Sequence, residues 1–304
     1  MKTPPDDGPS LVNRRTALKA GAVAVGVACV GPLLRPAVAD AAERRATGLT
    51  AAAVPQPIAQ WRFTERTGPY KSSIAGAPSL IRPTGSTAYR VSSPFGGGIV
   101  LNGTTDYLRV PAAGVGPLAI GATTGRVTVA AWVLSTDTNT AMVAGCWQES
   151  RADPRRSYAL FCDLPMYGGD DMVCMEVSKG GDATPGYPFS IDFSAEPQKI
   201  TRGQWQFYAG TYDGAKAVSY LNGVATPYPS YTDNQGASYS KNPYFYPDGL
   251  SAKPVDFTVG AVYRDGSLIN ILKGTVAKLR VWNVALTPSQ LFAIHRVERK
   301  LLAA

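Results

Sequence analysis

Apolar and polar residues alternate with a period of two through residues 203–223, GQWQFYAGTYDGAKAVSYLNG. The alternating sets are Trp205, Phe207, Ala209 and Thr211 against Gln204, Gln206, Tyr208 and Tyr212. A period of two places successive side chains on opposite faces of a strand. Asp213-Gly214 and Asn222-Gly223 tolerate the positive φ that type I′ hairpin turns require. The segment therefore predicts two antiparallel strands, and a third strand after Asn222-Gly223.

Short apolar runs separated by turn residues recur from residue 59 to residue 283. The predicted strands are AQWRFT, GGIVLNG, YLRVP, RVTVAAWVLS, MVAGCWQ, SYALFCD, MVCMEVSK, FSIDFSA, WQFYAGTY, AVSYLNG, VDFTVGAV and TVAKLRVWN. Short strands at this spacing are typical of an all-β sandwich or jelly roll. Residues 56–304 are long enough for one such domain with a core between its two sheets.

One segment near the C-terminus has helical rather than strand spacing. Thr287 supplies an N-cap hydroxyl, Pro288 suits the first helical position, and Gln290 completes a capping box. The apolar residues that follow at helical spacing are Leu291, Ile294, Val297 and Leu301. A single terminal helix on a β domain packs against a sheet. His295, the chain's one histidine, lies on this helix, so we expect packing rather than catalysis from it.

The N-terminal residues have the composition of an export signal. NRRTALK at 13–19 is followed by the mildly apolar run AGAVAVGVACVGPLL and by the small-residue cleavage box AVA. The run resembles a twin-arginine signal. We therefore expect residues 1–39 to be a twin-arginine signal peptide, residues 40–55 a flexible linker, and the protein to be secreted or located in the cell envelope. An N-terminal membrane anchor is the alternative, although the run is short and glycine-rich for a bilayer span.

The formal net charge of +8 is distributed along the chain. No basic run follows residue 45, and no aromatic-basic RNA motif is present. This distribution indicates a solubility feature rather than a nucleic-acid interface. Beyond the predicted signal no apolar stretch is long enough to cross a membrane. We therefore expect neither a nucleic-acid partner nor a membrane span for the mature chain.

Three cysteines, Cys146, Cys162 and Cys174, lie in the predicted domain. If DPRR at 153–156 turns one hairpin and GG at 168–169 turns the next, all three lie on one sheet face with Cys162 in the middle. An exported protein permits one disulfide and one leftover thiol. The alternative is three buried, unpaired thiols that act as small hydrophobes. No C-x-x-C spacing is present, which argues against zinc.

The connection at 226–249, TPYPSYTDNQGASYSKNPYFYPDG, is far longer than a hairpin turn needs. Loops of this length are usually functional or disordered. The high density of tyrosine argues against disorder. Two interpretations stay open, a ligand-binding loop and a self-packed lid that covers a sheet.

The order of these motifs resembles the laminin-G-like, concanavalin A-like jelly rolls of secreted bacterial proteins. The resemblance is carried by IAQWRFTERTG, FGGGIVLNGTTDYLRVP, RVTVAAWVLS, the pair WQFYAGTYDG and YLNG, and the closing GTVAKLRVWNVALTPSQL. It extends from about Ile58 to Ile294 and implies a two-sheet antiparallel jelly-roll sandwich with one short C-terminal helix over residues 56–304. It also implies scaffold rather than site roles for Asp106, Tyr107, Trp205, Tyr212, Asp213 and Gly214.

Some relatives with this sandwich are glucanases that carry E-x-D-x-E on one strand. The nearest segment here is SIDFSAE, in which Asp192 and Glu196 share a face, but four strand residues separate their Cα atoms by about 13 Å. Retaining and inverting pairs need carboxyl groups about 5 Å and about 6.5–9.5 Å apart. Glu176 stands alone in CMEVS. A glycoside hydrolase or polysaccharide lyase that uses these acids is therefore an alternative hypothesis, and we assign no catalytic residue.

Sugar recognition needs aromatic faces beside hydrogen-bonding groups. The tyrosine-rich connection and the segment WQESR at 147–151 have this composition. The predicted ligand-binding residues are Trp147, Gln148, Arg151, Tyr228, Tyr231, Asn234, Tyr244 and Tyr246. The leading hypothesis is a secreted module that binds carbohydrate or another extracellular ligand without catalysis, and a protein-adhesion module is the third hypothesis.

The resemblance also implies a calcium ion, because many jelly rolls of this kind hold one. Calcium takes six to eight oxygen ligands, from carboxylates and backbone carbonyls together. The candidate ligands are Glu65, near the opening strand, and Asp170 and Asp171, beside a glycine pair. No EF-hand spacing is present, so this expectation rests on the fold alone.

Overall fold

Two antiparallel sheets pack face to face in residues 53–303, the part of the chain that the computed structural model describes. The all-β jelly-roll sandwich with one short C-terminal helix is therefore confirmed. The predicted signal peptide, residues 1–39, lies outside the described residues, as do residues 40–52 of the predicted linker. No helix within residues 53–303 has the length and hydropathy needed to span a bilayer.

The described residues form eighteen strands, one α-helix and four short 3-10 helices. The strands are β1 Ala59–Trp61, β2 Tyr89–Ser93, β3 Gly96–Asn102, β4 Leu108–Val110, β5 Val127–Ser135, β6 Ala141–Glu149, β7 Arg155–Leu164, β8 Gly169–Val177, β9 Phe193–Ala195, β10 Trp205–Tyr212, β11 Lys216–Leu221, β12 Tyr231–Thr232, β13 Ser238–Tyr239, β14 Tyr244–Phe245, β15 Phe257–Val259, β16 Val262–Arg264, β17 Ser267–Ile269 and β18 Lys273–Trp282. The helices are α1 Pro288–Glu298 and the 3-10 helices Ala112–Gly114, Gly116–Leu118, Ile120–Ala122 and Arg299–Leu302.

The two sheets have eight strands each. The first sheet has the order β14-β11-β10-β5-β18-β3-β2, with β1 paired to β18. The second has the order β17-β16-β6-β7-β8-β9, with β15 paired to β6 and to β4. Within the described residues the pairing of β16 with β6 is parallel. The predicted strand through SIDFSAE is shorter than expected, because β9 begins only at Phe193.

Buried side chains form three clusters. The inner core lies between the sheets and contains Trp61 and Val259. The helix core lies between the first sheet and α1 and contains Trp132 and Leu291. The outer cluster lies on the far face of the second sheet and contains Phe161. Both faces of both sheets are therefore covered over part of their area, which explains why the central strands are apolar on both sides.

The hairpin predicted at residues 203–223 is confirmed for its first two strands, since β10 pairs with β11 in antiparallel register. Asn222 and Gly223 both have positive φ, 52° and 78°, as a type I′ turn requires. The predicted third strand is wrong, because after this turn only an isolated bridge between Leu221 and Val224 forms. β14 pairs with β11 instead and forms the edge of the first sheet.

The turn at Asp213 differs from the predicted type I′ geometry. Gly214 has a φ of 98°, whereas Asp213 does not have positive φ. The Asp213 carboxylate instead accepts hydrogen bonds from the backbone N–H groups of Ala215 and Lys216, each at 2.9 Å. A side-chain carboxylate that satisfies two backbone donors stabilises a wider turn without left-handed backbone at the aspartate.

Helix α1 begins with the predicted capping box. The Thr287 hydroxyl accepts a hydrogen bond from the Gln290 N–H at 3.3 Å, and the Gln290 side chain accepts one from the Thr287 N–H at 2.9 Å. Pro288 occupies the first helical position. Residue 53, within the predicted linker, accepts a hydrogen bond from the Gln290 amide at 3.2 Å. The start of the described chain is therefore in contact with the helix.

The buried face of α1 is only partly the predicted one. Leu291 and Ile294 are buried in the helix core, as expected. Val297 is 67 % exposed, and Glu298 is buried. The reason is electrostatic, because Glu298 forms an ion pair with Arg280 of β18 beneath the helix. A pattern of apolar residues alone does not predict a carboxylate that is buried with its partner.

His295 packs in the helix core against aromatic rings. Its ring centroid lies 5.6 Å from that of Trp132 and 6.2 Å from that of Phe207. Burial, together with the positive charge of Arg299, lowers the pKa of His295 to about 4. The ring is therefore neutral at physiological pH and contributes to packing.

The three cysteines of the domain are buried and unpaired. The prediction that they share one sheet face is wrong. Cys146 and Cys162 lie in the inner core, whereas Cys174 lies in the outer cluster. The hairpin registers explain the difference, because β7 and β8 pair Cys162 with Val173, and the next residue of β8 faces the opposite side.

We expect the buried thiols to be unreactive in the folded protein. Burial raises the pKa of Cys146 and of Cys162 to about 12 and raises that of Cys174 as well, so thiolate is scarce at neutral pH. A Cys29→Ser variant should show no reaction with a thiol-specific chromogenic reagent at pH 8. In urea sufficient for unfolding, three thiols should react. Rapid modification without urea would contradict the buried, unpaired assignment.

Candidate functional site

The described residues form two clefts, and the segment at 184–192 contributes residues to both. The tyrosine cleft has a volume of about 680 Å³ and is lined by Thr184, Asp192, Ala215, Pro229, Ser230, Ser238, Tyr239, Ser240, Tyr244, Phe245, Tyr246, Pro247 and Asp248. The arginine cleft has a volume of about 480 Å³, and its lining includes Trp147, Glu149, Arg151, Arg156, Glu176 and Arg264. Both volumes lie in the range of small-molecule sites.

The tyrosine-rich connection predicted at 226–249 builds one wall of the tyrosine cleft. Its β12–β13 hairpin packs over the outer cluster of the second sheet. The connection is joined to the segment at 184–192 by a hydrogen bond of 2.6 Å from the Tyr187 hydroxyl to the Asp233 carboxylate. Asp233 also accepts hydrogen bonds from the N–H groups of Gln235 and Ala237, each at 3.0 Å. The connection is thus both a lid over the sheet and the wall of a cleft.

Asp192 is held in one orientation within the tyrosine cleft. One carboxylate oxygen accepts a hydrogen bond from the Tyr244 hydroxyl at 2.8 Å. The other accepts one from the Thr184 hydroxyl at 2.7 Å. The Thr184 hydroxyl also accepts a hydrogen bond from the Ile191 N–H at 3.0 Å. The network fixes a polar, acceptor-rich group at the base of the cleft.

Lys241 supports the same region from behind. Its ammonium donates hydrogen bonds to the carbonyls of Ile191 and Phe193, at 3.3 Å and 3.1 Å. It also lies 3.1 Å from the centroid of the Phe193 ring and 5.2 Å from that of Tyr244. Cation–π contacts of this kind strengthen when they are desolvated, and Lys241 is fully buried. The residues beneath the cleft are therefore rigidly held.

The exposed aromatic ring of the tyrosine cleft is Phe245. In β14 the residues pair with β11 as Lys216↔Phe245 and Ala217↔Tyr244, so neighbouring residues face opposite ways. Phe245 is 52 % exposed, whereas Tyr244 and Tyr246 are buried. Sequence analysis selected the two tyrosines and missed the phenylalanine between them. The alternation of a two-residue strand is the signal that distinguishes them.

The predicted tyrosines form an edge-to-face series. Ring centroids lie 6.2 Å apart for Tyr228 and Tyr231, 5.7 Å for Tyr231 and Tyr239, and 5.9 Å for Tyr239 and Tyr244. Such contacts stabilise each pair by about 0.5–1.5 kcal/mol. Tyr244 and Tyr246 line the tyrosine cleft, whereas Tyr228 and Tyr231 lie behind its wall. Tyr228 and Tyr231 therefore support the cleft.

The remaining predicted ligand-binding residues are divided between other places. Trp147 and Arg151 line the arginine cleft. Gln148 pairs through its backbone with Arg155 and Tyr263 and does not line either cleft. Asn234 is exposed in the turn between β12 and β13. The structure thus does not bring the eight predicted residues into a single site.

The arginine cleft is organised around Glu149, at the end of β6. Its carboxylate accepts hydrogen bonds at 2.9 Å from the Trp147 indole N–H and from Nε of Arg156, and it also pairs with Nη2 of Arg156. Glu176 of β8 lines the same cleft. Burial raises the pKa of Glu176 to about 8, and the negative charge of Glu149 adds to the rise. The cleft therefore holds one carboxyl group paired with an arginine and one whose pKa is raised by burial.

The carboxyl groups named for the hydrolase hypothesis do not meet in one cleft. Asp192 lines the tyrosine cleft, and Glu176 lines the arginine cleft. Glu196 is fully buried and lines neither. It accepts hydrogen bonds from the Thr226 N–H at 2.6 Å and from the Asn242 amide at 3.2 Å. Glu196 therefore fixes the start of the tyrosine-rich connection.

The three predicted calcium ligands each have a protein partner. Glu65 accepts a hydrogen bond from the Lys71 N–H at 2.9 Å. Asp170 pairs with Lys199 at 3.1 Å, and Asp171 pairs with Arg202. Among residues 53–303 no group of three or more histidine, cysteine, aspartate or glutamate side chains converges as a metal site would require. Calcium binding by these residues stays a prediction.

A family model described as "Concanavalin A-like lectin/glucanases superfamily" matches residues 102–292. Domain 4 of AbnA, a GH43 extracellular arabinanase from Geobacillus stearothermophilus in complex with arabinotriose, has a similar structure. It is 21 % identical, with a TM-score of 0.53, over 79 % of this chain and 98 % of that chain. Trypanosoma rangeli sialidase in complex with 2,3-difluorosialic acid is 15 % identical, with a TM-score of 0.53, over 82 % of this chain and 35 % of that chain. At these sequence identities the likeness shows a shared fold alone. A comparison with curated proteins finds no match.

Proposed function

We propose that this chain, which belongs to the concanavalin A-like lectin/glucanases superfamily, is a carbohydrate-binding domain with its glycan site in the tyrosine cleft. The observation that carries the proposal is the exposed Phe245 ring beside fixed polar groups in that cleft. Sugar rings stack their C–H faces on aromatic rings, and their hydroxyls hydrogen-bond to carboxylates and hydroxyls. The cleft offers Phe245 for stacking, and Asp192 and three serines for hydrogen bonds.

The rigidity of the cleft supports the proposal. Asp192 is bonded through both carboxylate oxygens, and Lys241 holds the backbone beneath it. A site that is already ordered loses less conformational entropy when a ligand binds. We therefore expect the free and the glycan-bound tyrosine cleft to differ little in backbone position.

The solved relative favours the same ligand class. The arabinanase domain of similar fold was crystallised with arabinotriose. Extracellular glycans are also the ligands that an exported protein meets, and the twin-arginine signal predicted for residues 1–39 is part of the proposal. Calcium at Glu65, Asp170 and Asp171 stays a further proposal, and EDTA in the binding assay tests it.

We expect Phe245→Ala to weaken glycan binding about tenfold or more, because the stacking surface is removed. The measurement is retention of the full chain on a glycan array, followed by calorimetry on the glycan that binds best. Tyr89→Ala is the matched control, since Tyr89 is 55 % exposed on β2 of the first sheet and lines neither cleft.

Equal weakening by both variants would contradict the tyrosine cleft as the site. Failure of the full chain to bind any glycan would contradict the carbohydrate proposal and favour the protein-adhesion hypothesis. Release of soluble products from the same glycans, assayed in parallel, would favour the enzyme hypothesis instead. Asp192→Asn and Glu176→Gln would then show which cleft contains the reacting groups.

A further inference from the structure

The arginine cleft has features that the proposed function does not use. Its floor is formed by Trp147 of β6, Phe161 of β7 and Glu176 of β8, on the outer face of the second sheet. The cleft is lined by three arginines, Arg151 and Arg156 from the β6–β7 hairpin and Arg264 from β16.

Arg156 has an unsatisfied donor in this cleft. The residue is only 8 % exposed, and its Nε and Nη2 both bind Glu149. Its Nη1 is buried and has no hydrogen-bond partner within residues 53–303. Buried donors are nearly always satisfied, and leaving one without a partner is costly. An acceptor oxygen supplied by a ligand would complete the guanidinium.

The charges of the cleft favour an anionic ligand. Arg151 and Arg264 line it and form no side-chain hydrogen bond or ion pair in the described part of the chain. Glu149 is already paired with Arg156. Glu176 is protonated at neutral pH, because burial and the charge of Glu149 raise its pKa to about 8. Among the lining residues three guanidinium groups therefore stand beside two carboxyl groups, and one of these is taken up by Arg156.

Asp265 lies next to Arg264 at the tip of the β16–β17 hairpin. One of its carboxylate oxygens accepts a hydrogen bond from the Arg151 N–H at 3.2 Å. Asp265 does not line the cleft itself. The lining of the cleft therefore keeps its excess of arginines, because Asp265 lies outside it.

The cleft also has an apolar wall. Phe189 and Met166 line it and are both 52 % exposed. Large apolar side chains with this exposure beside a polar site are typical of ligand contact. A small inorganic anion would use the arginines but leave this wall uncovered. A ligand that carries both a carboxylate and a ring with C–H faces would use both.

We propose that the arginine cleft binds a carboxylate-bearing sugar, such as the uronic acid residues of an acidic polysaccharide. The guanidinium of arginine matches the two oxygens of a carboxylate in geometry and charge. Phe189 and Met166 contact the sugar ring, and the carboxyl group of Glu176 forms a hydrogen bond with a ring substituent. The site is separate from the tyrosine cleft and does not depend on the function proposed for it.

The test is calorimetry of the full chain with trisaccharides of galacturonate, glucuronate and mannuronate. We expect at least one of these to bind. Its methyl ester, which keeps the ring but removes the charge, should bind about tenfold more weakly or worse. Acetate at the same concentration supplies the carboxylate without the ring and should not compete.

Two variants probe the arginines without disturbing the fold. Arg264→Gln and Arg151→Gln remove exposed guanidinium groups without other side-chain partners, and each should weaken uronate binding about tenfold. Arg296→Gln is the matched control, because Arg296 is exposed on α1. This helix packs on the first sheet, and Arg296 does not line the arginine cleft. We do not rely on an Arg156 variant, since Arg156 is paired with Glu149 inside the sheet.

The outcomes separate this proposal from the preceding one. Phe245→Ala should leave uronate binding unchanged, and Arg264→Gln should leave binding at the tyrosine cleft unchanged. The proposal is overturned if none of the three uronates binds, if ester and acid bind equally, or if Arg264→Gln behaves like Arg296→Gln. Displacement of the bound trisaccharide by acetate at the same concentration would overturn the assignment of a sugar.

Discussion

Glu298→Ala should lower the free energy of unfolding by about 3–5 kcal/mol, the range for breaking a buried ion pair. The Glu298 carboxylate accepts hydrogen bonds from the Trp132 indole N–H at 2.8 Å, from Arg280 at 2.7 Å and from Lys278 at 3.0 Å. Arg280 and Trp132 are themselves buried. Removing the carboxylate would leave a buried cation and a buried indole without their acceptor.

The pKa of Glu298 shows that the cluster outweighs the cost of burial. Burial alone raises this pKa, but the charges of Arg280 and Lys278 and the hydrogen bonds lower it below its ordinary value. The carboxylate is therefore ionised in the folded protein. A group whose pKa is lower in the folded than in the unfolded state stabilises the protein at pH values above its unfolded pKa. This contribution is lost as the pH falls through the folded pKa.

Urea unfolding at pH 7 measures the effect of Glu298→Ala, with tryptophan fluorescence as the signal. Val297→Ala is the matched control on the same helix, because Val297 is mostly exposed, and we expect a change within about 0.5 kcal/mol. The free energy of unfolding of Glu298→Gln should lie between those of the two other variants, since its amide oxygen can still accept a hydrogen bond from the Trp132 indole. A loss for Glu298→Ala no larger than that of the control would show that the cluster does not hold α1 in place.

The sequence predicted the fold well because its signals are local. The period-two runs and the Asn-Gly turn determine strands through backbone geometry within a few residues. The capping box of α1 spans four residues. By contrast, the burial of Glu298 depends on Arg280, which follows from the packing of a helix on a distant strand. Long-range charge pairing leaves no periodic trace in the sequence.

The clefts were predicted less well for the same reason. Aromatic density pointed to the tyrosine-rich connection, which lines one cleft, but which of three consecutive aromatic residues faces solvent depends on the pairing of β14 with β11. The arginine cleft combines β6, β7, β8 and β16. Trp147 and Arg151 were found from composition, whereas Arg156 and Glu149 become a unit only when the β6–β7 hairpin closes.

Glu176→Gln should stabilise the protein by about 4 kcal/mol at pH 8 and by less than about 1 kcal/mol at pH 5. Burial raises the pKa of Glu176 from 4.5 to about 8. Between these two values the folded state keeps a proton that the unfolded state has lost. The free energy of unfolding therefore falls as the pH rises through this window, and the loss is complete above pH 8. An amide mimics the protonated acid and removes this dependence.

Burial is the largest cause of the raised pKa of Glu176, and the groups that face it modify the rise. Glu149 of β6 and Asp192 before β9 raise its pKa through their negative charges, and Arg156 of β7 lowers it. Ser190 lies beside it on the covering segment. Arg156 offsets the effect of Glu149 on the pKa of Glu176, so burial against the covering segment accounts for most of the rise. Glutamine adds no charge to this set and should be accepted without rearrangement.

Comparison of variant and wild type at each pH isolates Glu176 from the other titrating groups. His295, with its pKa lowered to about 4, destabilises the folded protein as the pH falls below the unfolded value of 6.5, which is opposite in sign. It affects both proteins equally and cancels in the difference.

We would measure urea unfolding at pH 5, 6.5 and 8, with Glu65→Gln as a control for the same charge change away from both clefts. A difference between Glu176→Gln and wild type that stays constant across these three values would mean that Glu176 is ionised in the folded protein at neutral pH. The arginine cleft would then hold two negative charges, and its preference for an anionic sugar would be weakened with it.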